Sequence, residues 1–360
     1  MPRVPFAAVE VVAPSLNTRY SGVTSTVIAL TPDHARRIAI AVLGPNLPER
    51  LPSIGWGDVI RGGWTPPPGR RLRIWHARRN IEMLAGVVLA RLLRQPWRLV
   101  FTSAAQRRHS AYTRWLLRRM DAVIATSPES AAFLHVPATV SLHGVETDRF
   151  RPAEDRAAAF AASGLPGRFG VGVFGRLRPQ KGTDLFVEAM LALLPSRPDW
   201  TAVLIGLVQP EDRAFVDGLA ARIAAAGLGE RVRFLGELPV EAIPGWYRAL
   251  SLVAAPPRKE GFGLVPLEAM ASATPVVASR AGAHAHLVEE GRTGWLVPAG
   301  DGAALTAALG AAMDLSQAER EAVGRAGRGR VEAAFSIERE ARRIEAVYAR
   351  LFAGGEGGRE

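Results

Sequence analysis

Two stretches of the second half concentrate residues suited to holding a diphosphate and a sugar. The first is FGVGVFGRLRPQKG, residues 169–182. An apolar run enters Gly175-Arg176, a turn follows with Pro179, and Lys181-Gly182 opens a helical pattern. Ligands of open parallel sheets bind beyond the carboxyl ends of the strands. A glycine there lets the backbone approach a ligand closely. Arg176 and Lys181 would flank the turn as a cationic clamp for a diphosphate; two solvated cations on an ordinary strand–turn–helix are the plain alternative. The second stretch is RKEGFGLVPLEAMAS, residues 258–272. Seven residues separate Glu260 from Glu268. Gly261, Phe262 and Gly263 form a loop, and a helix begins near Leu264 to Pro266, where Pro suits the first turn. Amides at a helix start attract an anion. Two carboxylates so close are awkward against phosphates, so they are expected to face hydroxyls: Glu260 those of a sugar, Glu268 those of a ribose. Lys259 is expected to balance part of this charge. A capped helix with a surface Glu is the plain alternative.

The scarcity of lysine sharpens both readings. The chain has 43 Arg and only two Lys, Lys181 and Lys259, and both fall in these stretches. An ammonium is a compact point charge where a guanidinium is a wide fork.

Short apolar strands alternating with amphipathic helices must position these residues. Strands are predicted at 4–13, 36–43, 71–76, 98–103 and 121–127, with ATVSLHG (138–144) closing the first half, and then at 169–175, 201–206, 231–235, 251–255, 275–279 and 295–298. Helical patterns lie between them, including 182–194, 211–226, 264–272 and 302–313, and a last helix covers about 337–352. Such alternation implies parallel sheets. Residues 44–69, crowded with Pro and Gly, read as an irregular excursion. The division expected is an N-terminal domain over 1–150, a linker over 151–168, a C-terminal domain over 169–335, and a C-terminal helix over 336–360 packing back on the first domain. The Gly-rich tail, 354–358, reads as disordered.

Charge and composition narrow the classes. Residues 1–150 carry 20 Arg against 9 acidic residues, whereas residues 151–360 carry 25 of each sign. The whole net charge of +11 therefore sits in the first half. That fits an anionic partner on one side only: nucleic acid, a phosphorylated glycolipid or an anionic membrane surface. Arg-rich usage throughout a proteome would give the same count. No cysteine is present, which excludes disulfide frameworks, zinc–thiolate sites and cysteine nucleophiles and fits a reducing cytoplasm. The N-terminus lacks signal-peptide features, and no apolar run is long enough to span a membrane.

With these motifs in place, the chain resembles the retaining glycosyltransferases of the GT-B fold, family 4. The likeness rests on Gly175-Arg176, Lys181-Gly182 and Glu260-x7-Glu268, on PVVAS (275–279) and RTGWLVPAGD (292–301), and on HGVETDRF (143–150). The implied fold is α/β: two doubly wound Rossmann-like domains facing each other across a cleft. In the first half, RYSGVTSTV (19–27), WHARRNIEMLAG (75–86), FTSAAQRRHSAYTRW (101–115) and RRMDAVIATS (118–127) are similar to the lipopolysaccharide-core mannosyltransferases of some Gram-negative bacteria. The resemblance implies transfer of mannose from GDP-mannose to the Kdo region of an acidic, lipid-linked core.

Further roles follow from that resemblance. Arg176 and Lys181 would stabilise the leaving diphosphate, and Glu260 would contact the donor sugar. Gly261, Phe262, Gly263 and Leu264 would bring amides to sugar and phosphate, and Glu268 would bind the ribose. Gly22 would let the first domain approach the diphosphate, and Gly175 belongs to the same donor set. Many family members carry a His after an N-terminal strand, where this chain has Ser103-Ala104. His76 is the better substitute, ahead of His109, and a structural His fits equally well. Ser21, Arg78, His143 and Gly144 are candidates for the acceptor or cleft. No Asp-x-Asp motif is present, so the reaction is expected to need no metal and no cofactor beyond the nucleotide sugar. His284-x-His286 only superficially resembles a metal pair. The expected location is cytoplasmic, peripheral on the inner face of the cytoplasmic membrane. The competing readings are a transferase using a UDP-sugar, an epimerase of the same shape, a nucleic-acid- or membrane-binding protein acting through its basic half (residues 107–119 have that look), and an inactive scaffold.

Overall fold

The computed structural model describes residues 3–18 and 22–354. The chain divides into two units, residues 1–143 with 337–360, and residues 144–336. The first unit holds six strands: β1 (Val11–Pro14), β2 (Ile40–Leu43), β3 (Arg73–Ala77), β4 (Trp97–Ser103), β5 (Ala122–Ala125) and β6 (Thr139–Val140), all parallel in the order β2-β1-β3-β4-β5-β6. Successive residues of a strand face opposite sides. Accordingly Val12, Trp75, Leu99 and Val123 pack in one core, while their neighbours Val11, Ile74, Val100 and Ile124 pack in another on the opposite face. That second core includes Ala341, Ile344, Val347, Tyr348 and Phe352 of the helix Ile337–Gly354.

The second unit repeats the plan with β7 (Phe169–Phe174), β8 (Trp200–Ile205), β9 (Val232–Gly236), β10 (Leu252–Ala255), β11 (Val276–Ser279) and β12 (Trp295–Val297), parallel in the order β12-β11-β10-β7-β8-β9. Strands covered on both faces read as continuous apolar runs, as AVLI (202–205) in β8 does. In each sheet the strand order reverses once, between β1 and β3 and between β7 and β10.

Several expected boundaries shift. The first strand begins only at Val11, because Phe6–Ala8 forms a 3-10 turn. The Pro- and Gly-rich segment 44–69 contains the helix Trp56–Gly62. Residues 144–150 fall in the second unit, not the first. Residues 151–168 are not a linker: they carry the helix Arg156–Ala161, capped by Asp155, whose Phe160 is buried. Arg156 fixes that helix to the second unit through the carbonyl oxygens of Arg248, Leu250, Ser272 and Ala273. The helix Gln317–Ala334 has no counterpart among the expected helices. Its buried face is Arg320, Gly324, Gly327 and Val331, so it offers no apolar stripe to read. The terminal segment 355–360, which includes most of the expected Gly-rich tail, lies outside the described residues.

Candidate functional site

The loops that follow β7 and β10 meet where the second sheet reverses its order, the place where open parallel sheets hold ligands. After β7 the chain runs through Gly175 and Arg176 to the 3-10 turn Pro179–Lys181 and the helix Thr183–Leu193. Gly182 caps that helix at φ +72°, and a Cβ there would lie 2.1 Å from the Pro256 carbonyl oxygen. Only glycine permits this contact between the two loops. After β10, residues 256–264 return alongside. Arg258 locks the pair: its guanidinium meets both Asp184 oxygens at 2.7 and 2.8 Å, and its amide donates to the Gln180 carbonyl at 2.9 Å. Neither Asp184 nor Arg258 stands out in the sequence, because an ion pair between positions 74 apart leaves no local pattern.

Within this frame Lys181 Nζ donates to Glu260 Oε2. Both residues are partly buried. The two expected cations are therefore unequal. Lys181 is paired, whereas Arg176 is exposed and has no hydrogen-bond or ion-pair partner among the described residues. Lys259 does not balance the glutamates as expected. It is exposed and forms no ion pair among the described residues, where Lys181 takes Glu260 instead.

Glu260 Oε1 also accepts from the amide of Gly261 at 3.0 Å, so that amide is already used. Phe262 is buried and its carbonyl accepts from Ala283. No protein group accepts from the amides of Gly263 or Leu264 among the described residues. Gly263 sits at φ +89°, and a Cβ there would lie 2.1 Å from His284 Nε2. The helix Val265–Ala271 follows, with Glu268 in its first turn. Glu268 Oε2 accepts from Tyr247 Oη at 2.7 Å. Burial raises its pKa above the usual carboxylate value, with the Tyr247 bond acting against this. Tyr247 stacks on Phe174 at the end of β7, with centroids 4.0 Å apart. Thus Glu260 and Glu268 occupy opposite ends of one loop–helix segment, one held by an ammonium and the other by a phenol.

His284, set aside in the sequence as half of a false metal pair, lies behind the loop. It is buried, and Nδ1 lies 2.9 Å from the Ser279 carbonyl oxygen, so Nδ1–H donates and Nε2 carries the lone pair. Nε2 has no partner. Burial lowers the ring's pKa to about 4. A small hollow lined by Arg156, Phe169, Ser251 and Arg320 lies elsewhere, at the amino ends of β7 and β10.

The first unit's candidates separate. A Cβ at Gly22, the first residue of the helix Gly22–His34, would meet nothing within 4 Å, so the protein itself does not require glycine there. Ser21 lies outside the described residues. His76 is not presented to a ligand: it is fully buried, Nδ1 meets Tyr348 Oη at 2.5 Å and Nε2 meets Thr102 Oγ1 at 2.7 Å. Burial holds its pKa well below the usual value. Both nitrogens are committed to the core, so the structural alternative replaces the catalytic one. His109 is partly buried, with burial lowering its pKa. His143 Nδ1 lies 2.6 Å from Glu340 Oε1 of the terminal helix, which makes it an anchor of that helix. Gly144 is the first residue of the second unit. Arg78 follows β3 and is 9% exposed.

Comparison with known proteins agrees with this architecture. The family model for glycosyl transferases group 1 matches residues 168–314, which contain both loops. The lipopolysaccharide core biosynthesis mannosyltransferase LpcC of Rhizobium leguminosarum bv. viciae is 55% identical over 94% of this chain and 96% of its own length. The lipopolysaccharide core biosynthesis mannosyltransferase LpsB of Rhizobium meliloti is 52% identical over 95% and 98%. Among solved structures, HepE of Anabaena superposes with a TM-score of 0.78 at 20% identity, covering 95% of this chain and 99% of that one. The chain is therefore a glycosyltransferase of the group 1 family with a GT-B fold, and it belongs with the lipopolysaccharide core mannosyltransferases.

Proposed function

We propose that the protein transfers mannose from GDP-mannose, with retention at the anomeric carbon, to an acidic lipid-linked saccharide such as the Kdo region of the lipopolysaccharide core. The observation that carries this reading is the near-full-length likeness to two lipopolysaccharide core mannosyltransferases. The geometry of the loops after β7 and β10 supports the chemistry. Breaking a sugar–phosphate bond builds positive charge on the sugar and negative charge on the departing diphosphate. Fixed cations there stabilise that charge separation. Arg176, unpaired, is free to meet the diphosphate at once. Lys181 meets it by sharing or leaving Glu260, which frees that carboxylate for the sugar hydroxyls. The amides of Gly263 and Leu264 have no protein partner to give up. Glu268, held by Tyr247, faces the ribose. The diphosphate oxygen takes the acceptor's proton on the same face, so neither metal nor protein nucleophile is called for.

The acceptor's lipid places the reaction at the inner face of the cytoplasmic membrane, and the first unit has a surface suited to it. No helix among the described residues is long and apolar enough to cross a membrane. However, Ile81, Leu84, Val88 and Leu92 are exposed at helical spacing along residues 80–92. Tyr112 and Trp115 are exposed on the helix Ala111–Leu117, which Asn80 joins through Thr113 at 2.8 Å. Arg91, Arg94, Arg107, Arg108, Arg114 and Arg118, on or beside the same segments, are also exposed. An apolar stripe rimmed by arginines is the signature of a helix lying in an anionic interface.

The test is sugar transfer to a Kdo-containing lipid acceptor from GDP-mannose and from UDP-sugars, each with and without EDTA. Product from GDP-mannose that survives EDTA is expected. Product from a UDP-sugar alone would discard the mannose assignment, and loss with EDTA would discard the metal-free mechanism.

A further inference from the structure

Two consecutive arginines follow β3, and the structure treats them differently. Arg79 is engaged: Nη1 lies 3.4 Å from Glu82 Oε1 and Nη2 donates to Thr24 Oγ1 at 2.9 Å. Arg78 has no such partner among the described residues. Its side chain is almost wholly buried, yet neither Nε nor Nη1 has a hydrogen-bond acceptor, and no carboxylate pairs with it. Glu82 meets Arg78 only at the backbone, accepting from its amide at 2.7 Å, and its other bonds go to Arg79 and Leu16. His76 and Tyr348, close enough to feel the charge of Arg78, are bonded to each other and bring no negative charge. A guanidinium with two of its three nitrogens buried and unpaired is unfavourable, and such a group calls for an explanation, a ligand that completes it being one.

Its position points the same way. The first sheet reverses its order between β1 and β3, which makes the carboxyl ends of these strands a ligand crevice. Val11 pairs with Ile74 and Val12 with Trp75. Carried forward, this register sets Ser15 level with Arg78. The Ser15 hydroxyl is fully buried and also lacks a partner among the described residues. Glu82 ties the two loops together through the amides of Leu16 and Arg78. Two unpartnered polar side chains thus border one crevice on adjacent, mutually braced loops.

We propose that Arg78, with the Ser15 hydroxyl beside it, is a subsite for the carboxylate of an acidic sugar in the acceptor. This rests on the transfer reaction proposed above. The charge count favours a singly charged group such as a carboxylate: one uncompensated cation matches one negative charge, whereas a phosphomonoester brings nearly two. Arg79 cannot supply the second, because Glu82 holds it.

The test is a cycle between residue and ligand. The kcat/KM is measured for the Kdo-bearing acceptor and for its carboxyl-reduced alcohol, with the wild-type protein and with Arg78→Gln. Carboxyl reduction is expected to cost the wild type at least about 30-fold and the variant less than about threefold. Equal losses in both proteins would overturn the proposal. So would coupling to the acceptor's phosphate instead, read with a dephosphorylated acceptor, or weakened GDP binding by Arg78→Gln, which would assign Arg78 to the donor. If Arg78→Gln fails to fold, Arg78→Lys keeps the charge without the fork and enters the same cycle. If the wild type transfers sugar to no such acceptor, the function proposed above fails but the subsite is still tested. Calorimetric titration with free Kdo should then show binding to the wild type that Arg78→Gln abolishes, and no binding or equal binding would refute it.

Discussion

Acidification should loosen the second unit through His284. The folded ring is neutral, buried and committed through Nδ1 to Ser279. Its pKa of about 4 lies below the 6.5 of an exposed histidine. Above about pH 7 neither state carries the proton, and the group contributes nothing to pH dependence. As pH falls through 6.5 the unfolded chain takes a proton that the folded ring refuses, so stability falls by about 1.4 kcal/mol per pH step. The loss ends near pH 4, where the folded ring also protonates, and between pH 7.5 and 4.5 it amounts to about 2 to 3 kcal/mol. Native-state hydrogen exchange on peptides from β10 and β11, compared between wild type and His284→Asn, reads this directly. Glu268 works in the opposite sense, because burial raises its folded pKa, and taking the difference between the two proteins removes its effect. The wild type should lose about 2 kcal/mol more than the variant over that range. Identical pH dependence in the two would refute the assignment of a buried neutral imidazole behind the Gly263 loop.

Other consequences are equally open to measurement. Lys181→Ala and Glu260→Ala should each lower turnover at least about 100-fold, with melting temperatures within a few degrees of wild type; near-normal rates would misplace the donor site. Tyr247→Phe removes the donor that orients Glu268, so KM for the nucleotide sugar should rise about tenfold while kcat stays within about threefold, and an unchanged KM would separate Glu268 from the ribose. Leu92→Glu with Val88→Glu should weaken sedimentation with anionic liposomes at least about tenfold without a change in melting temperature, whereas unaltered sedimentation would remove that face from the membrane.

The loops after β7 and β10, read from the sequence as a donor site, were legible as loops because their pattern is local. FGVGVFG, Lys181-Gly182 and EGFG carry strand, turn and charge within a few residues of each other, and Lys stands out in a chain of arginines. The alternation of short apolar strands with helices likewise implies two parallel sheets before any contact is known. What sequence concealed is long-range. The Arg258–Asp184 lock and the Tyr247 bond to Glu268 join positions with no shared motif. His76 looks reactive at a strand end until Tyr348, 272 positions away, is found bonded to it. The stripe Ile81, Leu84, Val88 and Leu92 has the spacing of a core face, and only the absence of a covering element shows that it faces outward. The helix Gln317–Ala334 escaped because glycine and a buried arginine fill the face that leucine or valine would normally mark.

The terminal helix carries a consequence for how the protein comes into being. Tyr348 and Phe352 complete a core begun by Val11 and Ile40, and Glu345 meets His34 and Arg37. A ribosome delivers those partners more than 300 residues apart. Chains usually fold domain by domain from the amino end as they emerge, but here one face of the first sheet is covered only in part, by the helix Gly22–His34, until the helix Ile337–Gly354 is made. The middle segment, 144–336, has all of its strands in hand earlier and can fold first. The order of folding is thus the reverse of the order of synthesis, and a chain truncated by its last twenty residues would lose the unit made first.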